Sequence, residues 1–212
     1  APTDPDAPKH KGISVFLLDM KSPGLTVNPI IDMSGFHRFN QVFFDNVRVP
    51  AANLLGQEGR GFYQLMEQLP QERLLQCVRA AAALEAALQW TVDHVTERKA
   101  FGQPIDQFQA LQFRLADMEI NLQAARVFLR QAAWKLDSGA PDATPACAMA
   151  KKFVTETGSQ VVDQCLQLHG GYGYLADYGI EKLVRDLRVH QILEGTNEIM
   201  RVIVARHLLK NR

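Results

Sequence analysis

Two carboxylates stand where proton chemistry is possible. Glu194 lies in Ile192-Leu193-Glu194-Gly195-Thr196-Asn197-Glu198-Ile199, where an acid and a glycine immediately precede an apolar-periodic segment that reads as a helix. Thr196 or Asn197 can cap that helix. The free N–H groups of its first turn, with the helix dipole, would favour a phosphate or an electron-rich ring oxygen nearby. On residue types alone the plainer reading is a capped helix with acids at its positive end. Glu72 precedes Arg73, and by itself that pair reads as a surface contact worth less than about 1 kcal/mol. Arg98-Lys99-Ala100-Phe101-Gly102-Gln103-Pro104 similarly reads as a solvated helix end with cations at its negative pole.

Three other patterns offer weaker chemistry. Gly171, Gly173 and Ala176 match a dinucleotide fingerprint, but that motif needs a strand before it, and Gln160 to His169 reads as helix. A glycine C-cap accounts for the same residues. Cys165 and His169 stand four apart on one helix and could form a thiolate–imidazole pair. A buried cysteine acting as a small hydrophobe, beside a histidine at a helix end, is the simpler account. The six histidines form no HExxH and no ligand cluster with the cysteines.

The elements that must position these residues fall into two kinds. From Gly12 to about Gly56 the sequence favours extended structure: Ile13 to Leu18, Gln41 to Phe44 and Val47 to Val49 are apolar, β-branched or aromatic, cut by Asp45-Asn46 and Pro50. Three or four strands are expected, too few to close a barrel alone, so residues 1–56 read as the C-terminal portion of a β-domain. Past the glycine-rich hinge Gly56 to Gly61 the apolar spacing becomes three and four. Expected helices are Phe62 to Leu69, a second opened by Pro70 and running from Glu72 to about Lys99, then Ile105 to Leu136, Asp142 to His169, Ile180 to Val189 and Asn197 to Leu209. The fold class is therefore mainly α: an antiparallel helix bundle, residues 57–212, preceded by a partial antiparallel β-domain.

Composition bounds the function. The 212 residues are 47% hydrophobic, and 23 basic side chains balance 23 acidic ones, so no broad field steers the chain toward nucleic acid or an anionic membrane. An anionic ligand would be held locally. Cys77, Cys147 and Cys165 are odd in number and far apart, which fits a reducing compartment. No apolar run approaches the roughly 20 residues needed to span a bilayer, and Ala1-Pro2-Thr3-Asp4 does not read as a signal peptide.

Taken in order, the segments resemble the acyl-CoA dehydrogenase family. They are Gly12 to Leu17, Val42 to Pro50, Asn53 to Gly56, Gly59 to Phe62, Gln71-Glu72-Arg73, Arg98 to Ile105, Gln167 to Tyr174 and Glu194 to Ile199. The resemblance implies α,β-dehydrogenation of an acyl-CoA thioester to a trans-2-enoyl-CoA in fatty acid metabolism (β-oxidation). The α-proton would go to a carboxylate and the β-hydride to N5 of FAD. It implies Glu194 as the base, Gly195 beside the thioester, and Thr196 and Glu198 near the flavin. Arg73 resembles an arginine that meets the CoA end of the substrate. Arg98, Phe101, Gln109, Gln167 and Gly171 resemble residues lining the FAD site across a subunit boundary, with Arg98 suited to pair with pyrophosphate. Electron-transfer flavoprotein is the implied acceptor, a homotetramer or dimer the implied assembly, and the cytoplasm, or the mitochondrial matrix in a eukaryote, the implied location.

Two departures from the family pattern matter. In some branches a glutamate at the position of Glu72 is the base and the later position is not acidic, whereas this chain has both. Two carboxylates in one apolar pocket would push one pKa upward, so that one acts while the other stays protonated. The family's N-terminal helical domain and an earlier flavin-binding β segment are also not found in these 212 residues, so the expectation is that the chain alone does not hold FAD tightly and is a fragment, a proteolysed product or one part of a larger chain. Alternatives are an acyl-CoA oxidase, which passes electrons to oxygen, and a non-catalytic relative used for assembly or nucleic-acid binding.

Overall fold

The computed structural model describes residues 1–210. It divides into two compact units, Ala1–Leu69 and a second that begins at Pro70. In the first unit, β1 (Val15–Phe16) pairs antiparallel with β4 (Leu54–Leu55), and β2 (Leu25–Ile31) with β3 (His37–Phe44). The β2–β3 ladder runs from Leu25 opposite Phe44 to Ile31 opposite His37, with an irregularity between Ile30 and Ile31. At its tip the Asp32 carboxylate accepts hydrogen bonds from the backbone N–H groups of Ser34 and Phe36, closing the turn.

Two strand expectations change here. Leu25–Ile31, which carries a proline, is a strand that the apolar pattern did not suggest, and Val47 to Val49 is not a strand at all. Asn46 adopts a left-handed φ of 49° at the end of β3, so the chain leaves the ladder before Val47 can continue it.

The helices also differ in one place. Where separate segments were expected on either side of Pro70, a single helix α1 spans Gly61–Glu97 with Pro70 inside it. Proline at the first turn of a helix and proline within a long one look alike in sequence, because both follow a helical pattern. The chain then forms a short hairpin, β5 (Lys99–Ala100) with β6 (Gln103–Pro104), and a 3-10 turn at Ile105–Gln107. Helices α2 (Gln109–Asp137), α3 (Ala143–His169), α4 (Ile180–Arg188) and α5 (Asn197–Lys210) follow.

The core of the second unit is built from one face of each long helix. Leu74, Cys77, Ala80, Ala81, Leu84, Ala87 and Leu88 of α1 recur at helical spacing and pack with Met118, Leu122, Ala125 and Ala132 of α2. From α3 come Ala146, Cys147, Ala150, Val154, Val161, Val162 and Cys165. Small residues let α1 and α3 approach closely: a Cβ built on Gly158 would lie 3.5 Å from both the Cβ and the carbonyl oxygen of Ala80. All three cysteines are buried and unbridged. No helix among the described residues is long and apolar enough to cross a membrane.

Candidate functional site

The residues singled out in the second unit gather into two groups. The first surrounds the turn between the 3-10 segment Val189–Gln191 and α5. Glu194 has φ 56° and Gly195 φ 90°, so two successive residues sit in the left-handed region. Glycine takes that conformation freely, whereas a glutamate pays roughly 1–2 kcal/mol for it. Two buried cations meet the strained segment. Arg73 of α1, 5% exposed, donates its Nε–H to the Glu194 carbonyl at 3.3 Å. Lys151 of α3, wholly buried, donates from Nζ to the Gly195 carbonyl at 2.9 Å.

Lys151 also donates to Oδ1 of Asn197 at 2.9 Å, while Nδ2 of Asn197 donates to the Thr155 hydroxyl at 3.1 Å. Of the two candidate caps, the structure uses Thr196. Its carbonyl accepts from Met200 N–H at 3.0 Å and its hydroxyl from Ile199 N–H at 3.5 Å, while Asn197 points inward. Beyond it, Glu198 is exposed, and the Glu198 and Glu156 carboxylates both pair with Arg201. The pKa of Glu198 is lowered, first by its own backbone N–H and then by the Thr196 hydroxyl.

Burial dominates the electrostatics. Desolvation lowers the pKa of Lys151 to about 8, although the Glu194 and Glu198 carboxylates favour its charge. Desolvation lowers that of Arg73 as well, again opposed by Glu194. The neighbouring Cys77 thiol, whose Sγ contacts the Arg73 carbonyl, is pushed up to about 12 by burial and is no nucleophile. Glu72 and Glu194 are both half-buried, and the Glu194 charge acts on both Arg73 and Lys151. Glu72 precedes Arg73 on α1, and it is Arg73, not Glu72, that reaches the backbone of Glu194.

The second group lines a cleft of about 550 Å³ that includes His94, Arg98, Gln167, His169, Gly171 and Tyr172. Gly170, with φ 59°, ends α3 as its C-cap, and its N–H donates to the Gln167 carbonyl. The Arg98 guanidinium lies 5.6 Å from the centre of the Tyr172 ring. The His94 and His169 rings stack at 4.4 Å. His169 Nδ1 meets the backbone carbonyl of Cys165 at 2.8 Å, and the Cys165 thiol faces the Met118 sulfur instead, so no thiolate–imidazole pair forms. Of the seven residues expected at a flavin site, Arg98, Gln167 and Gly171 share this cleft, while Thr196 and Glu198 belong to the first group. Gln109 is exposed at the start of α2. Phe101 is 96% exposed at the tip of the β5–β6 hairpin, with φ 54°.

These residues suit FAD. A Cβ on Gly171 would meet nothing within 4 Å, which leaves its backbone open to a ligand. Arg98 offers a cation for pyrophosphate, and Gln167 an amide.

Lys151 and the inward side chain of Asn197 are the contributors that sequence reasoning missed. A signal existed for the lysine: it falls on the apolar stripe of α3 with Cys147, Val154 and Gly158, whereas Lys152 falls off it and pairs with Glu156.

The helix bundle thus carries a carboxylate on a turn gripped by two buried cations and, apart from it, a cleft that Arg98, Gln167 and Gly171 line. The model of the acyl-CoA dehydrogenase C-terminal domain matches residues 59–209, and the chain belongs to the acyl-CoA dehydrogenase family. It is 41% identical over 200 residues to a probable acyl-CoA dehydrogenase of Bacillus subtilis, covering 93% of this chain and 52% of that protein. It is 42% identical over 203 residues to the mitochondrial isobutyryl-CoA dehydrogenase of Dictyostelium discoideum, covering 95% and 49%. The crystal structure of an acyl-CoA dehydrogenase from Geobacillus kaustophilus superposes with a TM-score of 0.93 at 40% identity, covering 98% of this chain and 55% of the other. The chain thus spans about half the length of the relatives it matches.

Proposed function

We propose that the protein containing this chain is a FAD-dependent acyl-CoA dehydrogenase, and that Glu194 takes the α-proton of the acyl thioester. The observation that carries this is the strained Glu194–Gly195 turn, held at consecutive carbonyls by two buried cations. Backbone strain over-determined by its surroundings is a feature of functional sites. Glu194 is half-buried at this turn, which suits a base that must be reached by substrate and sheltered from water.

FAD, when bound, supplies the acceptor for the β-hydride. Glu194 would hold the α-proton, and with the hydride accepted in this way the product would be a trans-2-enoyl-CoA. Arg98, Phe101, Gln109, Gln167 and Gly171 hold the cofactor across a subunit boundary in a homotetramer or dimer. Thr196 and Glu198 lie toward the flavin, Gly195 beside the thioester. Arg73, whose Nε is committed to Glu194, offers its remaining N–H groups to the CoA end of the substrate. Electron-transfer flavoprotein is the proposed acceptor of the electrons. Its reduction, measured against peroxide release, separates a dehydrogenase from an oxidase.

The base assignment is tested with Glu194→Gln and Glu72→Gln variants in a dye-reduction assay. General-base removal costs about 10²- to 10⁴-fold in rate. That loss is expected in the first variant; its appearance only in the second would transfer the role to Glu72.

A further inference from the structure

We propose that Lys151 is a positioning residue for the Glu194 carboxylate: acting with Arg73, it grips successive carbonyls of the left-handed Glu194–Gly195 turn and fixes the direction in which that carboxylate leaves the backbone. The inference rests on Glu194 being the base.

Burying a lysine completely is unfavourable unless its charge and donors are matched. Here two of its three donors are used, on Gly195 O and Asn197 Oδ1, both at 2.9 Å. The acceptors flank Thr196, so one ammonium ties the turn to the first residue of α5. Asn197 is secured in its turn by the Thr155 hydroxyl, and that hydroxyl donates to the Lys151 carbonyl at 2.7 Å. The result is a closed loop of hydrogen bonds from α3 to the turn and back.

Arg73 holds the preceding carbonyl from α1. The peptide between Glu194 and Gly195 and the one after it are therefore pinned from two different helices. A glutamate relieved of these contacts would relax toward negative φ, and its side chain would leave in another direction. Among the described residues both cations bond the backbone of this turn and neither bonds the Glu194 carboxylate, so they grip the peptide and leave the side chain to project from it. Lys152, one residue on, pairs with Glu156 and does not reach the turn, which makes the function specific to position 151.

The experiment compares Lys151→Met, Lys151→Gln and Glu194→Gln in the full-length FAD-loaded protein. Single-turnover flavin reduction is followed with acyl-CoA thioesters, protiated and α-deuterated, chosen from a straight- and branched-chain series. A misdirected base is expected to slow reduction about 10- to 100-fold in Lys151→Met, the scale set by small misplacements of reacting groups. The α-deuterium isotope effect should grow and KM stay within about threefold, because proton abstraction and not substrate binding is impaired. Lys151→Gln, which keeps a donor, should recover part of the rate, and it decides the matter by the same ratios if the methionine variant does not fold. A wild-type rate and isotope effect in both lysine variants, with only thermal stability reduced, would overturn the proposal. Loss of the base reading is seen separately, as an undiminished rate in Glu194→Gln.

Discussion

The second unit contains two turns with nearly the same backbone and opposite settings. Phe101–Gly102 has φ values of 54° and 86°, and Glu194–Gly195 has 56° and 90°. Both place a side chain where glycine would be free of strain. At the first, the conformation is imposed by a hairpin only two residues deep on each side, and the phenyl ring is almost fully in solvent. At the second it is imposed by Arg73 and Lys151 from the core. A left-handed pair can thus be held by local pairing, which leaves its side chain in solvent, or by buried cations, which fix it from the core of the domain.

That contrast can be broken at the glycines first. Gly195→Ala puts a side chain at φ 90°, with its Cβ 2.9 Å from Cε of Met200, and should cost about 2 kcal/mol of stability together with most of the activity. Gly102→Ala meets no atom within 4 Å and should cost only the backbone strain, about 1 kcal/mol. Thermal unfolding of the two variants in the intact protein compares them directly; equal losses would remove the distinction between a clamped and an open turn.

Phe101→Gly sharpens the comparison in the other direction. Relief of strain at an exposed position should stabilise the fold slightly, by under about 1 kcal/mol, while weakening FAD retention if the ring covers the cofactor of a neighbouring subunit. Melting temperature and flavin absorbance after dialysis read the two effects independently.

The smallest expected effect is a pH dependence from two histidines, one half-buried in the cleft and one buried outside it. His94 is lowered below its ordinary 6.5, first by burial, then by His169 and Arg98, against the opposing charge of Glu97. His190, whose Nδ1 meets Gln76 Oε1 at 2.7 Å, is lowered first by burial and then by Arg79, against Asp186. Because both folded values lie below the unfolded one, the folded state disfavours their protonation. The stability they contribute is present above pH 6.5 and is lost as pH falls through the depressed folded values. His94→Phe should flatten the acid side of the curve of melting temperature against pH; an unchanged curve would assign that slope to other groups.

Much of this was legible in the sequence, and the failures have physical causes. The long bundle helices declared themselves because their buried faces are apolar at helical spacing, as Ala146, Cys147, Ala150, Val154, Val161, Val162 and Cys165 of α3 illustrate. The continuity of α1 through Pro70 did not, since whether a helix tolerates a missing N–H depends on what supports it. Strand Leu25–Ile31 was hidden because its register is supplied by β3 and not by its own alternation. The acids were visible as residue types, but the clamp was not: Lys151 lies 44 residues from the carbonyl it holds and Arg73 121 residues from its own. Periodicity reports which face is buried, and only the fold reports what a buried cation finds there.

The central claim is that Glu194, and not Glu72, is the base aimed by this clamp. The most direct measurement is the single-turnover rate of flavin reduction by an acyl-CoA in the intact protein, for wild type, Glu194→Gln and Glu72→Gln. The account predicts a fall of about 10²-fold or more in Glu194→Gln with a much smaller change in Glu72→Gln. A full rate in Glu194→Gln, with the loss confined to Glu72→Gln, would contradict it.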